Sequence, residues 1–400
     1  MRPTVEIFKR QWGTLVPLAL LAVHCTIIIC AMPHDPVKDE RLFFPAAQQF
    51  KSYPVIPSLD QLRSYPARQP PLSFWVSGLL LRLRGSLTVL RLFNALLVCG
   101  CLLLLGRAVS RLTERHMAYG TMLWSLYALN PYIHLTATHY YTDPLYLFLA
   151  MLPVTMAPPG RYVFLSGAAL WLVPLVRQYG VIFPAGNFLN EARGYFRRRQ
   201  IKPVLLSLLP LTGLAGFILL WKGLLPVDPT NDVMGEFRRV HGYLNPYIPA
   251  YLISAIGFYL SPAWILFLRK APGLKTKLYG GAAAVLLYAL FPARPNPFFA
   301  GRVPAINQLG LYHGTMISAF GPAVSHVALA LFAGLGGAGL AVLIAGRNRV
   351  PAVMKTWTVL FLVVSLLNFS AWDKYLLDII PIMLVSLAYA DGQQSDANPT

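Results

Sequence analysis

Acidic residues are scarce in this chain. Asp and Glu together number 15 in 400 residues, and charged residues of both signs make up 12%. A soluble globular protein carries roughly 25% charged residues, so a chain hydrated over most of its length is excluded. Cysteine is rare as well. Cys25, Cys30, Cys99 and Cys101 all lie in apolar runs, which supplies neither a disulfide framework nor a zinc pattern. No internal repeat is visible, which argues against the duplicated halves of many transporters. The dyad alternation of a membrane β-barrel is missing. No soluble module gathers Lys and Arg on one face, so no nucleic-acid partner is expected.

What is abundant is apolar length. Hydrophobic residues make up 56% of the chain, and the formal charge is +19. Near-continuous apolar runs of this kind mark an all-α, polytopic membrane protein. The first run, 12–31, is too long for the apolar core of a signal peptide and reads as a retained span. Further spans are expected near 87–106, 117–134, 145–156, 162–176, 180–189, 203–221, 247–267, 278–291, 322–345, 353–368 and 375–390, about twelve in all. The run 72–83 is short for a span and reads as a helix along the outer surface, with Arg82 and Arg84 at its end. Arg2, Lys9 and Arg10 precede the first span and place the N-terminus in the cytoplasm. Residues 32–86 then form an external first loop with short interfacial helices, one expected near 39–50 with Phe43, Phe44, Ala47 and Phe50 on one face. With this topology the cytoplasmic side holds more than half of the 34 basic residues but only a third of the 15 acids. Residues 1–390 read as a single transmembrane domain, and 391–400 as a polar tail.

The external side collects the polar residues that need explaining. The first loop carries Asp35, Asp39 and Glu40, directly after the first span. A chain this poor in acids keeps such a cluster at a membrane edge most often for chemistry or ion handling. A second loop carries His139-Tyr140-Tyr141-Thr142-Asp143-Pro144, a third Arg177-Gln178-Tyr179, and later loops Arg302 and Asp373-Lys374. Acids and bases from separate loops on one side suit a reaction whose donor carries a phosphate. Plainer roles stand beside this reading. Asp143 before Pro144 fits a helix N-cap, Arg177 fits an interfacial snorkelling residue, and Lys374 fits an ion pair with Asp373 or Asp378. Gly334-Leu335-Gly336-Gly337-Ala338-Gly339 matches a dinucleotide fingerprint by letter, but it lies inside an apolar helix, where small residues serve close packing.

Asp39-Glu40, Phe44-Pro45-Ala46-Ala47-Gln48, Pro70-Pro71-Leu72, Tyr140-Tyr141-Thr142-Asp143 and Arg177-Gln178 follow one another in an order that resembles the GT-C membrane glycosyltransferases. These enzymes use polyprenyl-phosphate sugars. The pattern is most similar to the dolichyl-phosphate-glucose α-1,2-glucosyltransferase family. Its Pro-Pro-Leu step is also similar to protein O-mannosyltransferase and aminoarabinose transferase relatives. The resemblance covers mainly residues 35–185. It departs where Arg41 follows the acidic pair in place of an apolar residue, and where Tyr179-Gly180 replaces Thr-Asn.

The resemblance implies a GT-C type helical bundle that moves a glucose- or mannose-type hexose from a polyprenyl-phosphate carrier to a lipid-linked or surface glycan, inverting the anomeric centre. Asp39 would accept the acceptor proton, with Glu40 or Asp143 orienting the acceptor or sharing the role. Arg177, with Lys374 and Arg302, would hold the leaving phosphate, and Tyr140, Tyr141 and Gln178 would line the substrate site. No cofactor is required and no metal ligands are assigned, although a divalent ion is compatible. The expected setting is the bacterial inner membrane or the endoplasmic reticulum membrane, with the site on the periplasmic or lumenal face. The rival reading is a transporter or flippase for a lipid-linked or polar solute.

Overall fold

The computed structural model describes residues 19, 21–37, 40–114, 116–156, 163–223, 226, 244–293, 310–346, 350–367 and 373–397. Every regular element among them is helical. The packing sorts the chain into two compact units, one drawn from 1–108 and 127–230, the other from 109–126 and 231–400.

The first unit begins with the apolar α1 (Leu21–Ala31). α2 (Glu40–Ser52) and α4 (Leu72–Leu83) pack side by side, with the short α3 (Leu59–Arg63) between them in sequence. α2 buries Phe43, Ala46, Ala47 and Phe50. This is the i, i+3, i+4, i+7 stripe of a helix with one apolar face. α4 has the boundaries read from the sequence. Its Arg82 donates to the carbonyls of Phe50, Lys51 and Tyr53, where α2 ends and has no intrahelical partners left. α3 opens on a capping box made by Ser58 and Gln61, and Trp221 donates its indole N–H to the Leu62 carbonyl at 2.9 Å.

Next come α5 (Leu87–Leu112), whose last turn passes into the second unit, α6 (Met117–Ala128), which belongs almost wholly to the second unit, and then, again in the first, α7 (Pro131–Thr138), α8 (Asp143–Met156), α9 (Val163–Val176), α10 (Ile182–Arg198) and α11 (Ile201–Trp221). α11 leaves Leu205, Leu206, Leu209 and Leu219 exposed. In water these would form an apolar patch far beyond what a soluble surface carries; in a bilayer they face lipid. α10 carries Asn187, Asn190, Glu191 and Arg193 along its length, so the expected span at 180–189 falls on the start of a more polar helix.

The second unit is built on α12 (Tyr247–Tyr259), α13 (Ser261–Lys270), α14 (Leu274–Leu290), α15 (Leu311–Ala345), α16 (Ala352–Ser365) and α17 (Leu376–Ala397). Among the described residues, α5, α11 and α15 are long and apolar enough to cross a membrane, and α12 with α13, bent by 82°, make a fourth if counted together. These helices make the chain an integral membrane protein. α15 breaks at Gly321, whose φ of 74° is open to glycine, directly before Pro322.

The Gly334–Gly339 run lies within α15 and is a packing seam, as the sequence suggested. A Cβ on Gly336 would overlap the Ile253 carbonyl, one on Gly257 the Phe332 carbonyl, and one on Gly337 the Ala284 methyl. The helices therefore meet backbone to backbone, the contact that drives association in lipid. Gly336→Ala is expected to cost about 1–3 kcal/mol through overpacking, read as a lower melting temperature in detergent. Gly216→Ala on α11, where a Cβ meets nothing within 4 Å, should be neutral or slightly stabilising.

Candidate functional site

The polar residues of the first unit converge on one buried ion pair. Glu40 opens α2, and Arg91 lies one turn into α5, 51 residues along the chain. Arg91 donates Nε–H to Oε1 of Glu40 at 2.8 Å and an Nη2–H to Oε2 at 2.6 Å, and both side chains are fully buried. This is the parallel two-bond fork that guanidinium and carboxylate make best. Two backbone amides complete the carboxylate's partners: Val37 N–H to Oε2 at 2.9 Å and Tyr140 N–H to Oε1 at 2.7 Å. Arg91 also donates to the Pro33 carbonyl at 2.7 Å. Burial alone would push the Glu40 carboxyl up; the guanidinium of Arg91 and the amides of Tyr140 and Val37 outweigh it and hold the group below the ordinary carboxylate range.

One turn further along α5, Asn94 continues the grip. Its amide donates to the carbonyls of His139 at 3.0 Å and Tyr141 at 2.9 Å. The segment 139–141 is thus fixed by Glu40 through an amide and by Asn94 through two carbonyls. The Tyr140 hydroxyl adds a bond to Ser77 Oγ on α4 at 2.9 Å. Burial pushes that phenol well above its ordinary value.

Fixing 139–141 fixes Asp143. It opens α8, where negative charge is favourable and where Pro144 loses no hydrogen bond. Its carboxylate turns to Arg177, with Oδ2 2.6 Å from Nη2 and both side chains nearly buried. Arg177 is projected by a break in the helix: α9 ends at Val176, Arg177 is extended, and a 3-10 turn, Gln178–Val181, follows. Gly180 allows this reversal, because a Cβ there would press on the Val173 side chain and carbonyl. The Arg177 guanidinium carbon lies 6.0 Å from the centre of the Phe43 ring and 5.8 Å from that of Tyr179, a cation–π arrangement. The Tyr179 hydroxyl is 3.5 Å from Oδ1 of Asp143. Tyr141 meets Phe43 edge to face at 6.0 Å, and Gln178 donates to the Arg68 carbonyl at 2.5 Å.

The fold therefore brings Glu40, Tyr140, Tyr141, Asp143, Arg177 and Gln178 into one unit around α2, α5, α8 and α9. Lys374 lies in a short 3-10 turn, Asp373–Tyr375, of the second unit. Asp39 and Arg302 lie outside the described residues. Among the described residues, no group of three His, Cys, Asp or Glu side chains is placed to hold a metal ion. Arg91 and Asn94 were not singled out from the sequence. The signal available was a charged residue and an amide three apart on one face of an apolar run, since ionisable groups in such runs are functional by default.

No protein-family model matches the chain, and no curated protein matches it. A solved structure, the crystal structure of ArnT from Cupriavidus metallidurans bound to undecaprenyl phosphate, is similar at 16% sequence identity over 96% of this chain and 79% of that one, with a TM-score of 0.43.

Arg91→Met leaves a buried carboxylate without its cation and should cost about 3–5 kcal/mol, whereas the double change Glu40→Leu with Arg91→Met should recover most of the loss. The Glu40 carboxyl has a lower pKa folded than unfolded. Its contribution is complete above the unfolded value, near 4.5, and is lost as pH falls through the folded one. The gap in melting temperature between wild type and Glu40→Gln should narrow with acidification through that range.

Proposed function

We propose that this chain is a GT-C type glycosyltransferase that takes a glucose- or mannose-type hexose from a polyprenyl-phosphate carrier on the external or lumenal face and passes it to a lipid-linked or surface glycan. The observation that carries the reading is the Asp143–Arg177 pair, 2.6 Å apart between aromatic walls. It is formed by the two loops whose motifs, Tyr140-Tyr141-Thr142-Asp143 and Arg177-Gln178, resemble that family in order. A guanidinium in a fixed, largely desolvated position is what a departing phosphate requires. A carboxylate beside it can orient the attacking hydroxyl. Glu40 is committed on both oxygens to four donors, which suits a positioning role and leaves proton acceptance to Asp39. The acceptor oxygen would bond to the anomeric carbon as the carbon–oxygen bond to phosphate breaks. The electron pair leaves on the phosphate beside Arg177, and the hydroxyl proton passes to Asp39. Attack in line with the leaving group inverts the centre. Lys374 and Arg302 are proposed as further phosphate partners, and Tyr140, Tyr141 and Gln178 as walls of the substrate site. The chain's own residues require no cofactor for these steps, and a divalent ion is compatible with them.

The 82° bend between α12 and α13 and the break at Gly321 favour a second reading, a transporter or flippase, because interrupted helices line many transport sites.

Purified protein supplied with radiolabelled polyprenyl-phosphate glucose or mannose and a lipid extract should form a labelled glycolipid. Asp39→Asn should lower transfer by about 10²–10⁴-fold, and Arg177→Ala by about 10²–10³-fold, both without loss of membrane insertion. Movement of labelled lipid between leaflets with no sugar transfer would establish the second reading instead.

A further inference from the structure

Asp143 and a phosphate compete for the same donors. Nη2 of Arg177 faces Oδ2 of Asp143 across 2.6 Å, and the rings of Phe43 and Tyr179 flank the guanidinium at 6.0 and 5.8 Å. A phosphate bound at Nη2 of this guanidinium takes the place the carboxylate now fills, because both anions seek the same cation. The carboxylate itself is not carried away. Asp143 is the first residue of α8, and the preceding backbone is held by Glu40 and Asn94. The Tyr179 hydroxyl beside Oδ1 remains available to it.

We propose that the Asp143–Arg177 pair is a latch that the polyprenyl phosphate opens: the phosphate displaces the carboxylate from Arg177, and only then does Asp143 orient the acceptor hydroxyl. This rests on the polyprenyl-phosphate reading above and adds an order to it, carrier before acceptor. Before the carrier arrives Arg177 holds Oδ2 of Asp143 at 2.6 Å and the Tyr179 hydroxyl lies 3.5 Å from Oδ1, so an acceptor hydroxyl entering first has to compete with the guanidinium for the carboxylate. No bond is made or broken in the exchange; one anion replaces another on a fixed cation.

The latch makes a prediction of sign that a structural brace does not. A brace holds Arg177 in place for the phosphate, so removing it weakens binding. A latch competes with the phosphate, so removing it strengthens binding. Undecaprenyl phosphate and dolichyl phosphate, each without sugar, would be titrated against the full-length protein in detergent by microscale thermophoresis. Asp143→Asn should bind at least one of them about tenfold more tightly than wild type, on the order of the worth of one ion pair released. Arg177→Ala should bind it about tenfold more weakly, and the double variant should lose the gain. Equal or weaker binding by Asp143→Asn overturns the latch and leaves the proposed function standing. Failure of wild type and every variant to bind either lipid overturns the proposed function, and the latch with it. A measurement on the unaltered protein guards against a variant that does not fold. Carbodiimide labelling of Asp143, read by mass spectrometry, should rise when the phosphate lipid is added. Unchanged or reduced labelling with the lipid bound overturns the latch.

Discussion

The first unit depends on the buried bond between Glu40 and Arg91. Taking both charges out of water is costly, and their attraction offsets the cost only when geometry and remaining partners are complete. Here they are: the fork is two-bonded, and two amides fill the other approaches to the carboxylate. The consequence is rigidity. The loop before α2, the first turn of α2, α5 and the segment before α8 meet at one charge, and none moves without exposing it. Apolar packing around Phe43, Phe50, Phe74 and Tyr140 surrounds this region, but such packing tolerates small slips that a buried ion pair does not.

Two acids thus receive opposite assignments from their surroundings. Glu40 is enclosed and saturated, and its proton is kept off by its partners. Asp143 has, among the described residues, the Arg177 cation at close range and the Tyr179 phenol 3.5 Å from its second oxygen. The first arrangement suits a permanent structural charge, the second a contact that another anion can contest. The separation between them is short along the backbone, from the amide of Tyr140 to the side chain of Asp143, so the rigidity of the first pair is delivered to the second.

Much of this was legible in the sequence. The helix at 72–83, the buried face of α2 and the packing role of the Gly334–Gly339 run follow from local periodicity and residue size, which one segment carries by itself. Asp143 and Arg177 stood out as polar residues at loop positions between apolar runs. Their pairing did not, because contact between residues 34 apart is a property of the chain's path. Arg91 was hidden for the same reason: it reads as one basic residue near the edge of a span until its acid, 51 residues earlier, is laid against it. The short Gln178–Val181 turn was hidden too, since Arg177-Gln178-Tyr179-Gly180 has no helix-stop signal stronger than its glycine.

Those long-range pairs exist because of where the helices break. Inside a membrane protein an interrupted backbone strands amides and carbonyls that water does not reach, and neighbours must satisfy them. The interruption before α8 strands the amide of Tyr140 and the carbonyls of His139 and Tyr141. Glu40 supplies the acceptor, and Asn94 the two donors. The interruption after α9 closes itself instead: the Gly180 amide donates to the Arg177 carbonyl at 2.9 Å, and the Arg177 amide to Val173 at 3.2 Å. Each break turns a charged side chain, Asp143 from one and Arg177 from the other, out of the regular helical surface and towards its counterpart. A continuous helix through either place would have left one of them facing lipid or a neighbouring apolar helix, where a charge is expensive. The polar groups on α5 are therefore what permits the backbone to be irregular, and the irregular backbone is what puts an acid and a guanidinium face to face.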